Sequence, residues 1–147
     1  MFQKLLQTSN DYTLTFVRLL LGIVFFAHGA QKLLGWFGGF GFTATVGAFG
    51  KMGMPLAIAY FAIFVEFFGG LSLIFGLLSR LGALGITADM CGAVATVHYH
   101  NGLFMNWYGM QKGEPFEFHL LAIAIGVLIL VRGAGALSLD RLIASKT

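Results

Sequence analysis

Charge is scarce in this chain. Nine basic and six acidic side chains are spread over 147 residues, only 10% of the total. No basic patch or stripe exists of the kind that phosphate recognition needs, so nucleic acid is excluded as a partner. Cysteine occurs once, at Cys91. One thiol allows no disulfide within the chain, no intramolecular dithiol chemistry and no cysteine-based metal site. Lying mid-segment, Cys91 is expected to be a small buried packing residue. No dinucleotide fingerprint, phosphate loop or haem attachment motif occurs. No HxxxH or ExxH spacing marks a metal site, so no metal is expected. Any redox chemistry must therefore draw its electrons from a lipid-soluble carrier or a partner subunit.

What is abundant is apolar. Hydrophobic residues make up 58% of the chain, with 16 phenylalanines and 21 glycines. The apolar runs are about 18–24 residues long, enough to cross a hydrocarbon core of about 30 Å. They lack the polar outer faces that a soluble helical domain needs. The expected fold is an all-α integral membrane protein, a single domain over 1–147. It is a bundle of four spans at about 12–34, 55–78, 81–99 and 115–132.

Thr8, Ser9 and Asn10 are the expected caps of the first span. Ala27-His28-Gly29 matches a small-x-small cleavage pattern. The polar preamble before it is long and carries only Lys4 as a cation, so the first span is expected to be retained. Between the first two spans, 35–53 is dense in glycine and aromatic rings. Phe42, Val46 and Phe49 recur there at helical spacing, predicting a short amphipathic helix at the membrane interface. Pro55 and Pro115 suit the openings of the second and fourth spans. Gly69, Gly70 and Gly76 in the second span, and Gly82, Gly85 and Gly92 in the third, permit close helix approach. The tail carries a short amphipathic piece around Asp140 and Arg141.

An even number of spans puts both termini on one side. Lys4, Arg80, Arg132, Arg141 and Lys146 then share that side, while Lys51 and Lys112 lie opposite. The positive-inside rule makes the first side cytoplasmic.

The first span is apolar enough for a bilayer yet carries Arg18, His28, Gln31 and Lys32. At 3.6 residues per turn, Arg18, Phe25, His28 and Lys32 fall on one stripe, within about 50° either way. Ionisable groups at membrane depth face a bundle interior or a wet cavity. Counting rise per residue gives two polar layers. Glu66 and Asp89 come out near the midplane, and Arg18 lies about 9 Å above the cytoplasmic edge, near enough to reach upward. A core charge network of Arg18, Glu66 and Asp89 is expected, either holding the helices together or forming a proton path. The second layer is at the outer face. His28, Lys32, Glu117 and His119 are the candidate catalytic residues there, with His98 and His100 as a secondary pocket. Histidine titrates near neutrality, which suits hydrogen bonding and proton transfer to a quinone carbonyl. Asp89, Thr96 and His100 share a face if the third helix lasts that far, and His98 points elsewhere.

At these residues the sequence resembles the DoxX family. The resemblance is carried by Arg18…His28-Gly-Ala-Gln-Lys32-Leu, by Lys51-Met-Gly-Met-Pro55, and by Glu66-Phe-Phe-Gly-Gly with Gly76-Leu-Leu-Ser-Arg80-Leu-Gly-Ala. His98 with Asn101-Gly102, Glu117-Phe-His119-Leu-Leu and Gly133-Ala-Gly-Ala-Leu-Ser-Leu-Asp140 complete it. It implies a four-helix protein of the bacterial inner (plasma) membrane in the broad DoxX/DoxD group. Within that group the thiosulfate:quinone oxidoreductase small subunit supplies an association with redox chemistry. The resemblance brings no agreed map of catalytic residues.

The leading functional expectation is a membrane component of an oxidoreductase system. It would bind a quinone or small redox substrate in the outer-face polar pocket. Its company would be membrane lipid and either a partner subunit or a second copy of itself. Two alternatives stand beside it. One is an accessory subunit that stabilises a larger membrane complex. The other is a small proton-coupled transporter running through Glu66 and Asp89.

Overall fold

The computed structural model describes residues 2–145, and every regular element among them is helical. A short helix α1 (Phe2–Leu6) precedes α2 (Tyr12–Leu34). A tight 3-10 turn at Trp36–Gly38 leads to α3 (Gly41–Lys51). Next come α4 (Leu56–Phe75) and α5 (Ser79–Asn101). The chain ends in α6 (Glu117–Arg132) and a last short helix α7 (Leu139–Ala144). The expected helical piece between the first two spans is present as α3. Phe42 of α3 stacks on Tyr60 of α4, with ring centroids 5.5 Å apart.

Three helices, α2, α4 and α5, are long and apolar enough to cross a membrane. At 16 residues, α6 rises about 24 Å, short of a hydrocarbon core of about 30 Å. The bundle is built on two pairings, α2 against α4 and α5 against α6, joined where α5 packs on the middle of α4. Leu14, Leu21 and Phe25 of α2 meet Leu73 of α4, Ala83, Ile86 and Met90 of α5, and Ala122 and Ile129 of α6 in one buried core. Outward-facing apolar residues remain on every long helix, including Phe16, Phe61, Leu84 and Leu121. A soluble bundle would not leave so much large apolar surface in water.

Several boundaries differ from expectation, each for a local reason. The cap of α2 is Asp11, not Thr8, Ser9 or Asn10. Its carboxylate accepts from the Leu14 amide at 3.0 Å. Thr8 instead ties the N-terminal segment to the tail, accepting from the Gly135 amide at 2.5 Å. α4 stops three residues early because Gly76 turns left-handed, with φ of 65°. α5 starts early, at Ser79, because its cap comes from far along the chain. Asp140, which is 1% exposed, accepts from the amides of Leu78 at 2.6 Å and Ser79 at 2.9 Å. Cys91 faces outward and is exposed, contrary to the buried role expected of it. Nothing lies within contact distance of a side chain added at Gly92, so that glycine is not a packing site either.

Arg18 completes the same knot. It is 1% exposed. Its guanidinium donates to the carbonyls of Leu73, Ile74 and Leu137, the last at 2.7 Å. Leu73 and Ile74 lie in the final turn of α4, where carbonyls have lost their helical partners and the helix dipole favours a cation. The tail thus closes both helix ends at the α4–α5 turn, with Arg18 on the carbonyls and Asp140 on the amides. Asp140→Ala is expected to cost about 3 kcal/mol by leaving two buried amides unpaired. Thermal unfolding in detergent checks this. An unchanged midpoint would show that the tail does not hold the turn.

Arg80, Arg132 and Arg141 gather at this end with Gln7, Asp11 and Asn10. Lys146 lies outside the described residues.

Candidate functional site

The polar centre of the molecule forms where α2, α4 and α5 meet. α2 and α4 approach so closely at Gly29 that a side chain there would collide with the backbone of Glu66 and Phe67. One turn further along α2 stands Lys32. Helical side chains lean toward the N-terminus of their own helix. Lys32 therefore reaches back over Gly29 and forms an ion pair with Glu66. Glu66 is 5% exposed. It lies in a π-helical turn, Val65–Gly69, inside α4. Such turns carry one extra residue, reset which side chains face a neighbour, and recur at functional sites.

The third helix brings Asp89. α5 packs on this π turn, with Gly85 against Val65 and Ile86 against Gly69. Asp89 lies one turn beyond, half-buried, within electrostatic reach of both Glu66 and Lys32. No hydrogen bond or ion pair holds its carboxylate among the described residues. His28, one turn before Lys32, feels the charges of Lys32 and Glu66. Its ring is exposed on the helix surface, with Phe118 of α6 at 6.3 Å between centroids. The centre thus holds a fixed ion pair, a free carboxylate beside it and an imidazole at its edge.

This arrangement redistributes the two expected layers. The structure does not bring Arg18 to Glu66 and Asp89. The same lean toward the helix N-terminus that brings Lys32 down carries Arg18 away from them, to the α4 carbonyls. The carboxylate whose charge Arg18 feels is Asp140. Glu66 and Asp89 do share one place, and their cation is Lys32.

Nor do His28, Lys32, Glu117 and His119 converge on one outer pocket. Glu117 accepts from the Met105 amide at 2.9 Å and anchors the 102–116 loop onto the start of α6. His119 is buried and pairs with His98, ring centroids 4.1 Å apart. His98 reaches it because Val94–His98 is a second π turn. That turn also ends the simple register of α5, so the face expected to join Asp89, Thr96 and His100 does not persist. Thr96 bonds back to the Gly92 carbonyl at 2.8 Å, and His100 stands exposed in the last, 3-10 turn of α5. A cavity of about 300 Å³ is lined by residues including His100, Asn101, Phe104 and Lys112, and none of the candidate catalytic residues lines it.

The family model for DoxX matches residues 13–99. The chain belongs to the DoxX family. The matched region spans α2 to α5, and so contains Lys32, Glu66, Asp89 and His28 but neither Glu117 nor His119. This DoxX chain is 29% identical over 128 residues to "Putative oxidoreductase CatD" of Bacillus subtilis, covering 84% of this chain and 81% of that one. It is 31% identical over 138 residues to inner membrane protein YqjF of Escherichia coli, covering 93% and 96%. An uncharacterized membrane protein of Mycobacterium tuberculosis is 29% identical over 148 residues, covering 94% and 85%. No solved structure matches the DoxX chain significantly. The chain is a membrane protein, and its apolar exterior is the surface such a protein turns to lipid.

Proposed function

We propose that this DoxX protein is the quinone-binding membrane component of an oxidoreductase system, with its site at Lys32, Glu66, Asp89 and His28. The observation that carries the reading is the buried Lys32–Glu66 pair with an unpaired carboxylate beside it, at membrane depth. Ionisable groups are costly there, and sites that keep them usually use them. The oxidoreductase name of the Bacillus relative supports the same reading.

In this proposal the quinone enters from the bilayer past the exposed His28 and the rings of Phe26, Phe67 and Phe118. A quinone takes two electrons and two protons to become a quinol. A partner subunit supplies the electrons. The Lys32 ammonium donates a hydrogen bond to the carbonyl oxygen on which negative charge develops. Asp89, once protonated, and His28, as the imidazolium, deliver the protons and are reprotonated from water. Glu66 fixes Lys32 and balances its charge while the pocket is empty.

The proposal extends to placement. α6 acts as a fourth span, its short length met by local thinning of the bilayer and by the anchored 102–116 loop. α3 lies at the outer interface, where its rings suit headgroup depth. Both termini face the cytoplasm of a bacterial inner membrane, with Arg80, Arg132 and Arg141 on that side.

Mass spectrometry of small molecules retained after gentle detergent extraction tests the site. Wild-type protein should keep close to one quinone per chain, and Lys32→Ala should keep at least tenfold less. Wild-type protein free of quinone, when extracted from quinone-rich membranes, would overturn the proposal.

A further inference from the structure

His98 and His119 form a second site, which the quinone proposal does not use. His119 is 8% exposed. Its Nδ1 is fully buried and has no hydrogen-bond partner among the described residues. A buried polar nitrogen left unpaired costs about 1–3 kcal/mol, so the position calls for a partner. The neighbouring His98 ring is already oriented. Nδ1 of His98 is 2.6 Å from the Glu114 carbonyl oxygen. A carbonyl only accepts, so Nδ1 carries a proton, and in the neutral ring Nε2 keeps its lone pair. The Glu114 carbonyl is itself held by a second donor, Nδ2 of Asn101, at 3.1 Å. Metal-binding histidines are typically prepared in this way, with the outer N–H held by a backbone carbonyl and the other nitrogen presented.

We infer that His98 and His119 form an open two-histidine site for a borderline divalent transition-metal ion of the Cu²⁺, Ni²⁺ or Zn²⁺ class. The two rings are 4.1 Å apart between centroids and tilted by 39°. Two imidazoles that share one ion at about 2.0 Å have ring centroids about 4.5–5 Å apart, so the pair must open slightly and turn to admit it. Imidazole suits this class of ion, and among its members Cu²⁺ binds most tightly. No group of three potential ligands stands together among the described residues. The remaining coordination positions therefore belong to water or to a ligand brought by a partner. Sequence spacing does not reveal the pair, because its members lie on different helices. The 102–116 loop and the π turn at Val94–His98 bring them together.

The test uses full-length protein in detergent, purified without a polyhistidine tag and titrated with Cu²⁺ alone. Electron paramagnetic resonance should show one bound copper coupled to two imidazole nitrogens. His98→Gln, at the half-buried partner, should weaken binding at least tenfold and remove one nitrogen from the coupling pattern. His119→Asn should do the same, and His100→Ala should change neither. No bound copper at equimolar metal would overturn the inference, and would leave water as the partner of His119. Binding unaffected by His98→Gln, or abolished by His100→Ala, would overturn it as well. Lys32→Ala should leave copper binding intact, so failure of the quinone proposal and failure of this one are read separately.

Discussion

Lys32→Ala is expected to destabilise the bundle by about 3 kcal/mol, the low end of what breaking a buried ion pair costs. The low end applies because the Lys32 side chain keeps 25% exposure whereas Glu66 keeps 7%. Removing Lys32 strands the Glu66 carboxylate against Phe67 and Gly29 with no cation in contact. Replacing both partners with methionine should recover most of the loss, since a well-packed apolar pair avoids the desolvation of either charge. The double variant should nonetheless retain no quinone, because both the donor to the carbonyl oxygen and its anchor are gone. Unfolding titrations in mixed micelles measure the first effect and quinone retention the second. If Lys32→Ala unfolds at the wild-type midpoint, the pair is not a buried, stabilising contact.

Gly29→Ala is expected to cost at least as much, about 3 kcal/mol, although it changes no polar group. An added methyl at Gly29 meets backbone atoms of Glu66 and Phe67, not a side-chain tip that could swing away. Overpacking against backbone forces the helices apart. Separating α2 from α4 also stretches the Lys32–Glu66 contact one turn above, so quinone retention should fall with stability. Gly92→Ala is the control. Its position is open and helical, so alanine should be neutral or stabilising by up to about 1 kcal/mol. Equal stability of Gly29→Ala and wild type would contradict the close α2–α4 approach.

Much of the architecture is legible without coordinates. The length and purity of the apolar runs mark α2, α4 and α5 directly. Of the stripe of Arg18, Phe25, His28 and Lys32, all but His28 face other helices, and the His28 ring is exposed. What periodicity does not carry is direction. Arg18 and Lys32 look equivalent as long cations on one stripe, yet both lean toward the N-terminus of α2. That lean takes Lys32 to Glu66 and Arg18 away from it. The general rule for side-chain direction in helices is signal enough to separate them.

The two π turns are different. Nothing in Val65–Gly69 or Val94–His98 announces an extra residue, and each shifts the register of the helix beyond it. The shift at Val94–His98 breaks the expected face through His100 and turns His98 to His119. Long-range caps are equally silent. Asp140 lies 61 residues from Ser79, so no local pattern predicts where α5 begins. Gly29, and Gly22 two turns before it, lie close against α4 backbone and carry no signal of this in the apolar run. Only the facing backbone of α4 shows that nothing larger fits.

In the proposed mechanism a carboxylate beside the Lys32–Glu66 pair exchanges a proton with a bound quinone. Redox-induced infrared difference spectroscopy tests this most directly, on protein loaded with quinone, reconstituted in liposomes and reduced electrochemically. The expected result is a protonated-carboxyl band that is lost on reduction and is absent from Asp89→Asn. A spectrum without any carboxyl change, or one that Asp89→Asn leaves untouched, would contradict the mechanism.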